Sequence, residues 1–297
     1  MLNQREVSDM HYADYKTILS PNNGMNLYRG CTHGCIYCDS RSVCYQINHE
    51  FTDIGVKRNG PQILEDQLRK RRKPCMITTG AMCDPYIHLE EELQHTRKSL
   101  KLIEKYGFGL AILTKSARIL RDLDLLIAIN KKTKCVVQLT LTTFDEALCQ
   151  KIEPDVSTTG QRFVVLEAMR EVGIPTVVWL SPILPFITDT EDNLLGLLEY
   201  CIKAKVYGII NFGFGTTMRE GSRDYFYRKL DEDFPGMKEK YIRQFGNSYI
   251  CTSPNDPRLR EIFDKTCHKY GIVYRTNDVF SYLHQFETKR KQLSLFD

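Results

Sequence analysis

Three cysteines, Cys31, Cys35 and Cys38, stand four and then three residues apart in the stretch Arg29-Gly30-Cys31-Thr32-His33-Gly34-Cys35-Ile36-Tyr37-Cys38. Thiolates are soft ligands, and sulfurs this close along a chain can converge on one metal centre. Two kinds of centre compete. A closed structural zinc site takes four ligands, with Cys44 or His33 as the candidate fourth. A cubane iron-sulfur cluster held by three thiolates leaves one iron open for a substrate or cofactor.

The segments that must position this loop follow a regular alternation. Gly24-Met25-Asn26-Leu27-Tyr28 reads as a short strand running straight into the cysteines, and residues 39–58 read as irregular. Asn59-Gly60-Pro61 starts a helix over 62–73 with Ile63, Leu64 and Leu68 apolar. Strands are expected at 75–79, 109–114, 134–142, 176–180 and 207–212, separated by helical faces such as Leu93/Thr96/Leu100/Ile103 and Phe163/Leu166/Met169. Six near-continuous apolar strands alternating with helices predict an α/β fold of parallel βαβ units covered on its faces; right-handed crossovers would curl it into a partial (β/α)6 barrel, with a doubly wound open sheet as the alternative, since alternation alone does not fix closure. At each strand end the apolar run gives way to small or polar residues: Gly80 to Tyr86, Lys115-Ser116, Thr140-Leu141-Thr142-Thr143 and Ser181-Pro182. Such ends form a binding mouth.

From Thr216 the chain turns richer in charge and aromatic rings. The expected organisation is an N-terminal segment (1–24), the barrel (25–215), an α-rich C-terminal extension packed across it (216–286) and a flexible tail (287–297). Of the 297 residues 42% are hydrophobic and 26% charged, the balance of an ordinary globular chain. No membrane span or signal pattern is visible, so a cytoplasmic protein is expected. The eight cysteines outside the triad are scattered singly, which favours reduced thiols over a disulfide framework. A net charge of +4 permits an anionic partner such as nucleic acid without demanding one.

The Cys-x3-Cys-x2-Cys spacing with Tyr37 before the last cysteine resembles the motif of radical S-adenosylmethionine (radical SAM) enzymes. Asp84-Pro85-Tyr86, Leu113-Thr114-Lys115-Ser116, Leu139-Thr140-Leu141-Thr142-Thr143, Ile152-Glu153-Pro154 and Ser181-Pro182-Ile183-Leu184-Pro185 are similar to the spore photoproduct lyase-related group, also labelled DNA repair photolyase. The resemblance implies that Cys31, Cys35 and Cys38 ligate a [4Fe-4S] cluster whose fourth iron chelates SAM. Reductive cleavage of SAM then yields a 5′-deoxyadenosyl radical that abstracts hydrogen from substrate. It further implies that Tyr37 lies near the adenine, that Lys115 reaches the SAM carboxylate or ribose, and that Thr140 meets the ribose or carboxylate, with Thr142 and Ser181 as further cofactor-binding hydroxyls. An electron donor such as flavodoxin or ferredoxin is implied as well. Two positions depart from the group: Asp39 stands where the lyase carries a tyrosine, and Cys83, the candidate hydrogen donor, is displaced by about two residues from the lyase cysteine.

Other features bear on partners. Arg219, Arg223, Tyr225, Tyr227 and Arg228 interleave charge and rings, as a nucleic-acid surface does, although a helix burying its rings and exposing its arginines looks the same. The basic run Arg69 to Lys73 likewise suits a helix end. At the tail, Gln292, Leu293, Leu295 and Phe296 resemble the motif by which bacterial repair proteins dock on the sliding clamp. The leading expectation is a radical SAM enzyme acting on damaged or modified nucleic acid, a DNA repair-like lyase. Its alternatives are a zinc-stabilised, non-catalytic DNA-interacting accessory protein and a radical SAM enzyme acting on a protein or small metabolite.

Overall fold

The structure, a computed structural model, describes residues 10–289. Six strands form one parallel sheet whose spatial order follows the chain: β1 (Gly24–Met25), β2 (Met76–Thr79), β3 (Gly109–Thr114), β4 (Cys135–Thr140), β5 (Thr176–Trp179) and β6 (Gly208–Ile210). Each crossover carries a helix: α1 (Gly60–Lys70), α2 (His95–Tyr106), α3 (Leu123–Lys132), α4 (Thr159–Glu171) and α5 (Glu191–Lys203). The sheet's two ends, β1 and β6, do not pair, so this is a partial (β/α)6 barrel.

Strand parity divides the sheet into two faces. Ile77, Leu110, Ile112, Val137, Leu139, Val178 and Ile209 belong to one core with the crossover helices. Met76, Ala111, Val136, Val177 and Ile210 point the other way, into the barrel. There they meet Val279 and Leu283 of the last helix, α9 (Thr276–His284), with Trp179 and Phe280 at the margin. The helix thus fills the apolar end of the interior. The same parity carried toward the strands' C-terminal ends puts Lys115, Thr140, Thr142 and Ser181 on the inner face.

Three further helices, α6 (Ser222–Asp233), α7 (Met237–Phe245) and α8 (Asp256–Tyr270), precede α9, and a two-stranded antiparallel ladder joins Gly215–Thr217 to Ile250–Thr252. Phe226, Leu230 and Tyr241 of α6 and α7 share a core with Ile36, Ile152 and Leu184, so this part packs behind the cysteine loop. Helix α6 buries Phe226 and leaves Arg228 exposed, while Arg223 donates to the Ser248 and Met218 carbonyls (2.8 and 3.1 Å). The ring-and-arginine pattern is therefore largely that of a packed helix.

Two expectations are corrected near the loop. The first strand pairs in the barrel only over Gly24 and Met25; Tyr28–Arg29 pairs antiparallel with Ile54–Lys57, which itself runs parallel to Met10–Ala13. The stretch 39–58 therefore ends in a strand, all four of whose residues are buried. The four residues of the strand Ile54–Lys57 are too few to show a period. Helix α1 also stops at Lys70, and Arg71 bonds the Asn23 side chain (2.5 Å).

Candidate radical SAM site

The cysteine loop leaves the small sheet through Gly30, whose φ of +84° and closeness to the Phe51 carbonyl (2.5 Å from an added Cβ) require glycine. The Cys31 amide donates to that carbonyl (3.0 Å), and the Ile36 amide to the Ile152 carbonyl (3.0 Å). Residues 31–38 are thus held from both sides. Cys31 and Cys35 are buried and Cys38 half-buried, all as free thiols. Burial pushes the Cys35 thiol well up and raises that of Cys38. A hydrogen bond with Cys83 pulls Cys31 down to about 5 and is the main cause of the upward shift of Cys83. Cys83 therefore lies directly against the first cysteine of the triad.

The end of β2 reaches the loop through Asp84. Its carboxylate accepts from the Tyr86 amide (2.8 Å), the Thr114 hydroxyl (2.7 Å) and the Lys115 amide (2.7 Å), and lies 3.5 Å from His33 Nδ1. One side chain thus ties β2, β3 and the cysteine loop together. Gly80 allows this approach, since a Cβ there would stand 1.8 Å from the Leu113 carbonyl oxygen. The Asp-Pro pair, with Asp84 bonding the amide two residues on, is a turn signal that could have revealed this position from sequence.

Register brings the other candidates together. Thr114 pairs with Leu139, and Thr140 with Trp179. One step further, Lys115 stands beside Thr140, and two steps beyond the second pair Thr142 stands beside Ser181. The Lys115 ammonium lies 6.0 Å from the Tyr37 ring centroid. Burial works against its charge, yet the acidic groups facing it, the Cys35 thiol, Glu153, Asp84 and the Cys38 thiol, leave its pKa raised. The buried hydroxyls of Thr142 and Thr143 and His33 Nε2 have no hydrogen-bond partner among the described residues. Tyr37 turns its hydroxyl onto Glu153, and burial, reinforced by that carboxylate, pushes the phenol well up.

Behind the loop is a pair the motif reading had not identified. Glu153 and Arg162 are buried and ion-paired. Arg162 also donates to the Ser157 carbonyl (2.8 Å), the Thr140 carbonyl (2.7 Å) and Cys149 Sγ (3.4 Å). Burial opposes the Glu153 charge, but Arg162 and Lys115 outweigh it and keep the carboxyl below its usual range. Its trace was in the sequence: Arg162 shares the buried stripe of Val165, Leu166 and Met169 on α4, where a charge must be paired.

Residues 25–201, more than half of the chain, match the model of the radical SAM superfamily. The chain belongs to that superfamily. Radical SAM enzymes use a [4Fe-4S] cluster and S-adenosylmethionine and need a reductant as electron donor. Among relatives, an uncharacterized protein of Mycobacterium tuberculosis (strain ATCC 25618 / H37Rv) is 28% identical over 262 residues, covering 84% of this chain and 74% of its own. A protein of Pseudomonas phage M6 named radical SAM Nalpha-GlyT isomerase is 22% identical over 175 residues, 57% of this chain and 34% of that one. The fold is that of a spore photoproduct lyase mutant solved with bound AdoMet and dinucleoside spore photoproduct: TM-score 0.60, 13% identity, 84% of this chain and 74% of that one.

The site of this radical SAM enzyme fits the implied group. It offers three thiols whose ionisation in a buried setting calls for cationic iron, and beside them a lysine and unpartnered hydroxyls for a polar cofactor. A closed zinc site would need a fourth ligand beside the triad. Cys44 is exposed and accepts from Arg219 (3.2 Å), away from a role as fourth ligand. Asp39 is likewise accounted for: it accepts from the Ser42 and Tyr45 hydroxyls (3.1 and 2.9 Å), with Arg219 3.6 Å away. It anchors the turn after Cys38 to the C-terminal part. Among the described residues no helix is long and apolar enough to cross a membrane. The clamp-like residues Gln292, Leu293, Leu295 and Phe296 lie outside the described residues.

Proposed function

We propose that Cys31, Cys35 and Cys38 hold the cluster and that this enzyme acts on a modified or damaged nucleotide within nucleic acid. The observation that carries the reading is the meeting of three thiols, two buried and one half-buried, with a polar inner rim, Lys115, Thr140, Thr142 and Ser181, above a barrel end filled by α9. When bound, SAM supplies the 5′-deoxyadenosyl radical that abstracts hydrogen. Lys115 presents a point charge to the cofactor carboxylate, Thr140, Thr142 and Ser181 offer hydroxyls to it, and the Tyr37 ring, fixed by Glu153, faces the same space. Cys83 sits within the cradle as candidate hydrogen donor to a substrate radical, its thiyl then reduced by an electron from the external donor with a proton.

Support for the nucleic-acid substrate comes from the lyase that shares the fold and was solved with a dinucleoside lesion. A cleft of about 390 Å³ outside the loop is bordered by three cations, Arg41, Lys151 and Lys229, against two carboxylates, Asp155 and Asp233, a small positive excess that suits an acidic electron carrier such as flavodoxin. The barrel (25–215) then acts as the catalytic unit, the helices of 216–286 brace its loop, and clamp docking through the tail is a separate, compatible proposal.

The test is anaerobic reconstitution of the full chain. Wild type is expected to load about four irons and to cleave SAM on reduction, and Cys35→Ala to lose both. Oligonucleotides carrying modified bases, deuterated at the reacting carbon, should label 5′-deoxyadenosine. Labelling only from peptides or small metabolites would replace the substrate assignment while leaving the cofactor chemistry in place. Cys83→Ser should keep SAM cleavage and alter the substrate products; unchanged products would remove Cys83 from the reaction.

A further inference from the structure

A second group of ligand-type side chains stands at the edge of the small sheet. His11, His49 and Asp53 each offer a ligand atom, and the three atoms lie within 4.8 Å of one another. His11 Nδ1 lies 3.0 and 2.9 Å from the two Asp53 oxygens. The His11 and His49 rings meet edge to face with centroids 4.7 Å apart. All three residues are half-buried, so an ion could enter from solvent.

The local backbone explains the convergence. His11 pairs with Gly55 in the parallel ladder, and the missing side chain at Gly55 leaves space for the imidazole, which a Cβ would approach to 3.4 Å. The turn closed by the Asp53 amide on the Glu50 carbonyl (3.0 Å) carries His49 and Asp53 to the same edge. The decisive detail is His49. Its Nδ1 is 2.9 Å from the Glu50 carbonyl, which accepts its proton and so leaves the Nε2 lone pair open. An outer carbonyl that fixes the tautomer is how metal-binding imidazoles are oriented.

We propose that His11 Nδ1, His49 Nε2 and Asp53 form a mononuclear site for a divalent ion of the zinc class, separate from the cysteine triad. Two imidazoles and a carboxylate are a donor set suited to such ions, with solvent completing the coordination. With both ligands about 2.1 Å from one centre, the nitrogen-to-oxygen separation of 2.9 Å subtends roughly a right angle, and a small rotation of the half-buried side chains to about 3.4 Å gives the tetrahedral arrangement. When Nδ1 takes the ion, the proton it shared with Asp53 moves to Nε2 in a neutral ring or leaves to solvent from a cationic one, so binding weakens as pH falls. The site ties the N-terminal strand to residues 49–53, the segment whose Phe51 carbonyl accepts from Cys31 and whose Phe51 ring lies under Arg41 (4.3 Å). Filling it stiffens a support of the cysteine loop without touching the thiols.

The experiment uses the full chain with its cluster reconstituted, so that the triad is occupied, then incubated with zinc chloride and desalted. Zinc and iron are counted for wild type, His49→Ala and Asp53→Asn. Wild type should retain about one zinc more per chain than either variant at equal iron, with affinity falling at least tenfold in His49→Ala, as expected when a ligand is lost. Zinc should also slow amide exchange across 49–53 in wild type only. Equal zinc in wild type and His49→Ala, or zinc gained only as iron is displaced, would overturn the proposal. His49→Ala removes a half-exposed ring, so misfolding in Asp53→Asn leaves the result readable. Failure to load iron would count against the triad's assignment and leaves the zinc difference between wild type and His49→Ala as the readout here.

Discussion

Two buried polar regions flank the cysteine loop, and they differ in whether their groups are partnered. Behind the loop, Arg162 spends its guanidinium on Glu153, two backbone carbonyls and the Cys149 sulfur, while Glu153 also receives Tyr37. In front of it, toward the barrel mouth, His33 Nε2 and the Thr142 and Thr143 hydroxyls have no partner among the described residues, and Lys115 stands among acidic groups and thiols. Leaving a buried polar group unpaired costs about 1–3 kcal/mol. A satisfied network is what a scaffold requires; an unsatisfied rim at equal depth is what a polar cofactor requires. The difference separates residues that build the site from residues that use it.

The sharpest way to break this contrast is Arg162→Met. It leaves Glu153 buried without its main counter-charge and frees two carbonyls, so stability should fall by about 3–5 kcal/mol in denaturant unfolding of the iron-free protein. A loss below about 1 kcal/mol would show the network to be dispensable. Lys115→Met is its counterpart on the mouth side. It should lower stability, but by less than Arg162→Met, because Glu153 and Asp84 lose a counter-charge while keeping their other partners, whereas SAM binding to the iron-loaded protein weakens about tenfold to hundredfold, the worth of a charge-assisted bond. Equal SAM affinity in equilibrium dialysis would take Lys115 out of the cofactor site.

The sequence was most legible where local pattern and tertiary role coincide. The runs Gly109–Thr114 and Cys135–Thr140 are buried at every position, as continuous apolar strands should be. Once the strands are placed, register alone carries Lys115 to Thr140 and Thr142 to Ser181. What stayed hidden depends on contacts across distance. Tyr28 leaves the barrel because a four-residue partner strand some 26 positions later captures it, and loop closure leaves no periodic trace. Cys83 gave a position but not its neighbour, Cys31. Glu153 belonged to a recognisable tripeptide, yet its partner lies on α4 and shows only as a charge in an apolar stripe.

Lys57, at the end of the small sheet's strand Ile54–Lys57, offers a pH test. It is buried, its ammonium faces the Tyr15 ring at 4.6 Å, and burial, with Arg29 adding to it, pushes its pKa from 10.5 down to about 8. Below pH 8 the lysine is charged in both folded and unfolded chains, so its contribution is flat. Between pH 8 and 10.5 the unfolded chain keeps the proton that the folded chain has lost, so stability rises with pH. After allowance for partial exposure the gain is about 2 kcal/mol. Unfolding of iron-free wild type and Lys57→Met at pH 7.5 and pH 10 isolates it: only wild type should gain. A parallel response in both would assign the change to other groups.

The smallest effect gives the finest discrimination. Thr142→Val replaces a buried hydroxyl that has no partner with a methyl of similar size, so the protein without cofactor should become more stable by about 1 kcal/mol. If the hydroxyl meets the cofactor, the same change should weaken SAM binding severalfold. Opposite signs in one variant are the signature of a group held ready for a ligand. A loss of stability with SAM affinity unchanged would move Thr142 to the scaffold side, and the boundary between building and using the site would then run at Lys115 and Thr140 instead.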